Sequence, residues 1–137
     1  MKKILLVLLI ISSCSFVFAD SPSKLTSALK NCSAYSEGGT INTERMNVSS
    51  QKKILGMKNG KCAYQEKTTF PQGELTISCE FTKAQAEELA RVMDAYETLQ
   101  QYSTEKVDTS SYSAVENNPV VKTWAKYLQD PSVCKVN

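Results

Sequence analysis

Residues 53–79 read KILGMKNGKCAYQEKTTFPQGELTISC, three runs of strand length divided by two turn signals. Asn59-Gly60 suits a two-residue type I′ loop, in which both central residues need positive φ. Such a loop pairs Met57 with Cys62, Leu55 with Tyr64 and Lys53 with Glu66. A second turn around Pro71-Gln72-Gly73, centred near Phe70-Pro71, pairs Glu66 with Leu75, Tyr64 with Ile77 and Cys62 with Cys79. One face then collects Leu55, Met57, Cys62, Tyr64, Leu75, Ile77 and Cys79. The other carries Ala63, Gln65, Lys67, Glu74, Thr76, Ser78 and Glu80. This alternation predicts an antiparallel meander with one face on a core and one in water, because a one-residue slip would turn the whole apolar set outward.

Helical patterns flank the meander. Upstream, Ser21 to Cys32 reads as a short helix with Ser21 as N-cap, Pro22 at its first position, and Leu25, Ala28, Leu29 and Cys32 on one face. Asn31 to Thr40, with Gly38-Gly39, reads as a loop, and Ile41 to Ser50, with Met46 and Val48 in phase, as an edge strand or the bent start of the next one. Downstream the period changes. Thr82-Lys83-Ala84-Gln85 has the form of a capping box before Ala86, Leu89, Val92, Met93, Tyr96 and Leu99, a helix of about five turns. Its Glu87, Glu88, Arg91, Asp94 and Glu97 fall largely off that stripe, as a solvated face would. Ser103 to Asn117 is polar and aperiodic, which predicts a mobile surface loop. Asn118-Pro119 opens a last helix bearing Val120, Val121, Trp124, Tyr127 and Leu128, and Asp130-Pro131 stops it. The order is α-β-β-β-(β)-α-α: one α+β domain over residues 20–137, a three- to four-stranded meander with its helices on one face.

Residues 1–19 read as a secretory signal peptide. Lys2-Lys3 precede an apolar run from Ile4 to Ile11, a second patch follows at Phe16 to Phe18, and Val17 and Ala19 form the small-residue pair before a cleavage site at Ala19/Asp20. The expected location is the periplasm or the medium of a bacterial cell. A rival processing site lies inside the same segment: Ile11-Ser12-Ser13-Cys14 resembles the lipobox of bacterial lipoproteins, which would leave the chain membrane-anchored through Cys14.

Cleavage after Ala19 takes the cysteine count from five to four, Cys32, Cys62, Cys79 and Cys134, which in an exported chain argues for two disulfides. Four cysteines allow three connectivities. The meander register favours Cys62 with Cys79, leaving Cys32 with Cys134. The wide gaps between these cysteines do not resemble a zinc site, and no metal or other cofactor is expected. Loss of Lys2 and Lys3 brings the 16 basic side chains to 14, equal to the 14 acidic ones. Such a neutral chain lacks the footprint of a nucleic-acid binder and argues against an anionic membrane partner. Outside the leader no transmembrane segment is expected.

The sequence contains no His, which excludes imidazole bases, Ser/His and Cys/His nucleophiles and imidazole metal ligands. Glu87 and Glu88 are adjacent on a helix and point about 100° apart, so they cannot easily flank one bond. Ser21-Pro22-Ser23-Lys24 matches S-x-x-K in spacing only, and Gly38-Gly39 lacks either phosphate-loop pattern. Tyr102 and Tyr112 bracket the polar loop and are a possible recognition surface, whereas Tyr64, Tyr96 and Tyr127 belong to inner faces. The expectation is a small, non-catalytic binding or accessory protein of the bacterial envelope that meets an unknown protein or small ligand. The alternative is a carboxylate-only hydrolase, for which two buried acids facing each other across a cleft would speak. Helix-first order before an antiparallel sheet is similar to that of cystatin-type inhibitors. Their Q-x-V-x-G motif is absent, since Gln51-Lys52-Lys53-Ile54-Leu55-Gly56 has another spacing and no Val, so the likeness is one of topology and implies no function.

Overall fold

The computed structural model describes residues 22–43, 47–102 and 117–137. Helix α1 (Pro22–Asn31) is followed by four strands, β1 (Tyr35–Asn42), β2 (Asn47–Lys58), β3 (Lys61–Phe70) and β4 (Gly73–Phe81). Helices α2 (Lys83–Tyr102) and α3 (Pro119–Leu128) and a short strand β5 (Cys134–Val136) complete the order. The five strands form one antiparallel sheet in chain order, so the meander is extended at both edges beyond the three runs that the sequence marks most clearly.

The helix signals act as read. Thr82 N–H donates to Gln85 Oε1 at 2.9 Å while Gln85 N–H donates to Thr82 Oγ1 at 3.3 Å, a reciprocal capping box. Asn118 Oδ1 accepts from the amides of Val120 and Val121, with Pro119 beginning α3. At the end of α1, Cys32 takes φ +48, its amide donates to the Leu29 carbonyl and that of Ser33 to Ala28. This is a Schellman cap with Cys in the left-handed position that glycine usually fills. The expected N-cap, Ser21, lies outside the described residues.

Both turns form two-residue loops, yet each register departs from expectation. In the first hairpin Lys58 pairs with Lys61 and Met57 with Cys62, and Asn59 and Gly60 both have positive φ. A bulge at Leu55-Gly56 then shifts the ladder, so that Ile54 instead of Leu55 faces Tyr64, and Lys52 instead of Lys53 faces Glu66. Leu55 and Met57, expected in the core, are 43% and 56% exposed, and Ile54 is buried in their place. In the second hairpin the loop is Pro71-Gln72, closed by Phe70 with Gly73. Its centre lies one residue beyond the expected one, which moves every partner by two: Cys62 faces Phe81, Tyr64 faces Cys79 and Glu66 faces Ile77. A shift of two keeps each side chain on its face, so the inward set of β3 and β4 survives. The segment expected as a loop from Asn31 to Thr40 supplies β1 from Tyr35 on.

The disulfides are Cys32–Cys62 and Cys79–Cys134, not the pairing favoured by the expected register. With Cys62 opposite Phe81, Cys79 is no longer its cross-strand neighbour. The left-handed cap brings Cys32 onto β3, and Cys79 and Cys134 are direct partners across β4 and β5 with Cα atoms 4.1 Å apart. That separation fits a non-hydrogen-bonded antiparallel pair.

One apolar cluster joins the sheet to the helices: Leu25, Ala28 and Leu29 of α1, Ile54, Cys62, Tyr64, Ile77, Cys79 and Phe81 of the sheet, Ala86, Leu89 and Ala90 of α2, and Trp124, Tyr127 and Leu128 of α3. Phe81 stands edge-on to both Trp124 and Tyr127. The cluster covers only part of the inner face. Toward the other end lie Ser50, Lys52, Glu66 and Thr68, all buried and none a member of it.

Candidate functional site

Helices α1 and α2 pack side by side and leave between them a cleft of about 780 Å³. Thr26, Ser27 and Lys30 line it from α1, and Glu87, Arg91 and Asp94 from α2, with Ala84 and Ala90 keeping the space open. The spacing explains the convergence. Thr26 and Lys30 are four residues apart on one helix, and Glu87, Arg91 and Asp94 stand at i, i+4 and i+7 on the other. Thr26 is buried at 6% exposure and its Oγ1 has no hydrogen-bond partner among the described residues. Neither Lys30 nor Arg91 closes an ion pair among the described residues.

Glu88 borders the cleft but is committed elsewhere. Its carboxylate accepts the Tyr127 hydroxyl and the Lys126 ammonium, the latter at 3.0 and 3.2 Å. The tyrosine hydrogen bond first, and Lys126 after it, hold this carboxyl below its usual 4.5. Burial first, then the hydrogen bond to Glu88, pushes the Tyr127 phenol above its usual 10. Glu87 is exposed and reaches toward Lys83 at 3.9 Å. The adjacent pair is therefore split between two different partners.

A second polar group lies on the inner sheet face. Ser50 pairs with Thr68 and Lys52 with Glu66 across β2 and β3, and Glu37 of β1 continues the second row. Tyr64 donates to Glu66 Oε2 at 2.8 Å and Tyr35 to Glu37 Oε2 at 3.1 Å. Ser50 Oγ and Glu66 Oε1 have no hydrogen-bond partner among the described residues. The acids are thus not confined to outer surfaces. Yet Glu37 and Glu66 lie side by side on one sheet with the strand of Lys52 between them, about 10 Å apart by strand spacing, and do not face each other across a cleft.

Cys32, Cys62, Cys79 and Cys134 are all in disulfides. Tyr102 ends α2, but its side chain, all of Tyr112, the expected cleavage site at Ala19 and Asp20, and loop residues 103–116 lie outside the described residues. Sequence reasoning passed over Thr26 and Lys30, and it placed Arg91 on a solvated face. The charged stripe of α2 was visible, but read as a solvated face, because nothing in one helix reveals which neighbour it meets. Among the described residues no helix is long and apolar enough to cross a membrane, and no three His, Cys, Asp or Glu side chains are placed to hold a metal ion. No protein-family model, curated protein sequence or solved structure matches the chain.

Proposed function

We propose that the chain is an exported, non-catalytic binding module of the bacterial envelope, and that the cleft between α1 and α2 receives a small zwitterion such as a free amino acid or a peptide end. The observation that carries this reading is the buried Thr26 hydroxyl, which has no hydrogen-bond partner among the described residues, in a cleft whose two cations, Lys30 and Arg91, close no ion pair among those residues. A ligand carboxylate would satisfy all three, with its amine turned to Glu87 and Asp94. Non-catalytic action is supported by Glu88: an acid held ionised by Tyr127 and Lys126 is a poor proton donor near neutral pH. Export is supported by the leader pattern and by two disulfides in the folded domain.

Calorimetric titration with glycylglycine, acetate and ethylamine tests the ligand class. Glycylglycine should bind more tightly than either single-charge probe, and Arg91→Ala should weaken it at least tenfold. Equal binding of acetate, no binding of any probe, or binding indifferent to Arg91→Ala overturns the reading.

A lipid-anchored form is the second reading, favoured because the two disulfides use every cysteine except Cys14. The mass of the N-terminal peptide from cells separates the two: an unmodified Asp20 terminus supports the free module, an acylated Cys14 the anchored one.

A further inference from the structure

Thr76 and Asn137 exchange both of their amide hydrogen bonds, at 2.9 Å each, so the even-numbered residues of β4 bond toward the β5 side. Bonding direction alternates along a strand, and through the registers of the sheet the odd-numbered residues of β1 therefore bond to β2. Ser36, Gly38, Thr40 and Asn42 turn their amides and carbonyls outward, and no backbone partner meets them among the described residues. Natural edge strands are blunted by Lys, Pro, bulges or short length. β1 has eight residues without Lys or Pro, and its ladder to β2 runs without a shift. The opposite edge is β5, three residues long with Lys135 at its centre. The one charge of β1, Glu37, lies on the inner face and accepts the Tyr35 hydroxyl of its own strand. Any strand added to this edge must suit that order. In a two-fold antiparallel pair of β1 strands, centring on Glu37 sets two carboxylates opposite each other, and centring on Gly39 sets Glu37 against Ile41 of the second copy. Centring on Gly38 sets Glu37 against Gly39, Ser36 against Thr40, and Tyr35 against Ile41, an aromatic beside a β-branched side chain. Tyr35 and Ile41 are both half-buried, so this register also covers apolar surface that a single copy leaves in water.

We infer that β1 is the interface of a two-fold dimer, in which the edges of two copies pair about Gly38 and join their sheets into one. The order of β1 selects a second copy as the occupant, because the register that keeps Glu37 clear of like charge and of apolar side chains is also the one that pairs Tyr35 with Ile41. Gly38 with Gly38, and Ser36 with Thr40 on either side of it, then exchange two main-chain hydrogen bonds per pair. β5 is too short to offer the same pairing, so assembly closes at two copies and does not grow into a fibre. This interface uses no residue of the cleft between the helices.

Sedimentation velocity of the disulfide-bonded protein over a range of concentrations tests it, with a dimer as the expected product. Thr40→Pro removes one outward amide from each copy while sparing the bonds to β2, and should weaken dimerisation roughly tenfold or more. The register is tested by Ser36→Cys and Thr40→Cys, both at exposed positions. A hydrogen-bonded antiparallel pair holds its Cα atoms about 5.5 Å apart, within reach of a disulfide. With oxidised glutathione an equimolar mixture of the two variants should therefore give a covalent dimer, and neither variant alone should. Thermal unfolding of each variant separates lost pairing from lost fold. A protein monomeric at every concentration would overturn the assignment and leave the edge to a strand of another protein. So would a dimer untouched by Thr40→Pro in a correctly folded variant, a mixture that does not cross-link, or cross-links that form equally within one variant.

Discussion

Lys52 and Glu66 are direct partners across β2 and β3, both buried, and no ion pair joins them. They sit where the inner face of the sheet changes from apolar to polar, one row from Ile54 and Tyr64 of the core and one row from Ser50 and Thr68. Buried opposite charges on adjacent strands compensate each other's lost hydration even without direct contact. Lys52→Met and Glu66→Gln are each expected to destabilise the fold by about 1–3 kcal/mol, and the double variant by less than their sum. Urea denaturation of the four members of the cycle measures the coupling; strictly additive losses would mean the two charges ignore each other.

Gly56 holds the bulge. Its φ of +92° is one that L side chains rarely adopt, while a Cβ there would meet nothing closer than the Cys32 carbonyl at 4.0 Å. The cost of Gly56→Ala is therefore conformational, about 1–2 kcal/mol. Chemical denaturation should show that loss, and an unchanged midpoint would place the bulge elsewhere.

Glu88 gives the fold an acid-sensitive contact. Its carboxyl is lower in the folded state than its usual 4.5, so its contribution is present above that pH and disappears as pH falls through the folded value. Glu88→Gln should lower stability near neutral pH and flatten the acid limb of the profile, meeting the parent at low pH. Because the side chain is 36% exposed, the loss should stay below about 1 kcal/mol. Tyr127 acts at the other end: its phenol is raised above 10, so its contribution holds below that pH and is lost as pH rises beyond it. Tyr127→Phe should flatten the alkaline limb, and an unaltered limb in either variant counts against the contact.

The two disulfides close loops of different length, with separations of 30 and 55 residues. Loop entropy assigns them about 3.5 and about 4 kcal/mol. Removing Cys32–Cys62 by paired Ala substitutions should therefore cost slightly less than removing Cys79–Cys134. Non-reducing peptide mapping checks the connectivity first; a Cys62–Cys79 peptide would refute the register of β3 against β4.

Much of this architecture was legible locally. Thr82-Lys83-Ala84-Gln85 and Asn118-Pro119 announce α2 and α3 because a cap is made of adjacent residues, and Asn59-Gly60 fixes its hairpin for the same reason. What stayed hidden depends on distant partners. Leu55 looks like core by alternation, and only the bulge at the left-handed Gly56 turns it outward, whereas Met57 keeps its expected partner Cys62 and is exposed near the hairpin tip. The Gly38-Gly39 segment reads as loop by composition, yet β2 recruits it as an edge strand. Cysteine pairing inherited the two-residue error of the second turn. The cleft was least legible, since Thr26 and Arg91 lie on helices separated by the whole four-stranded meander.

The most direct test of the cleft as a binding site is the unfolding free energy of Thr26→Val in the ligand-free protein. The substitution keeps the shape of the side chain and removes a buried hydroxyl that has no hydrogen-bond partner among the described residues. If that hydroxyl is retained for a ligand, the variant should be more stable than the parent by about 1 kcal/mol. A loss of similar size would show that the hydroxyl serves the packing of α1 against α2, and would contradict the account.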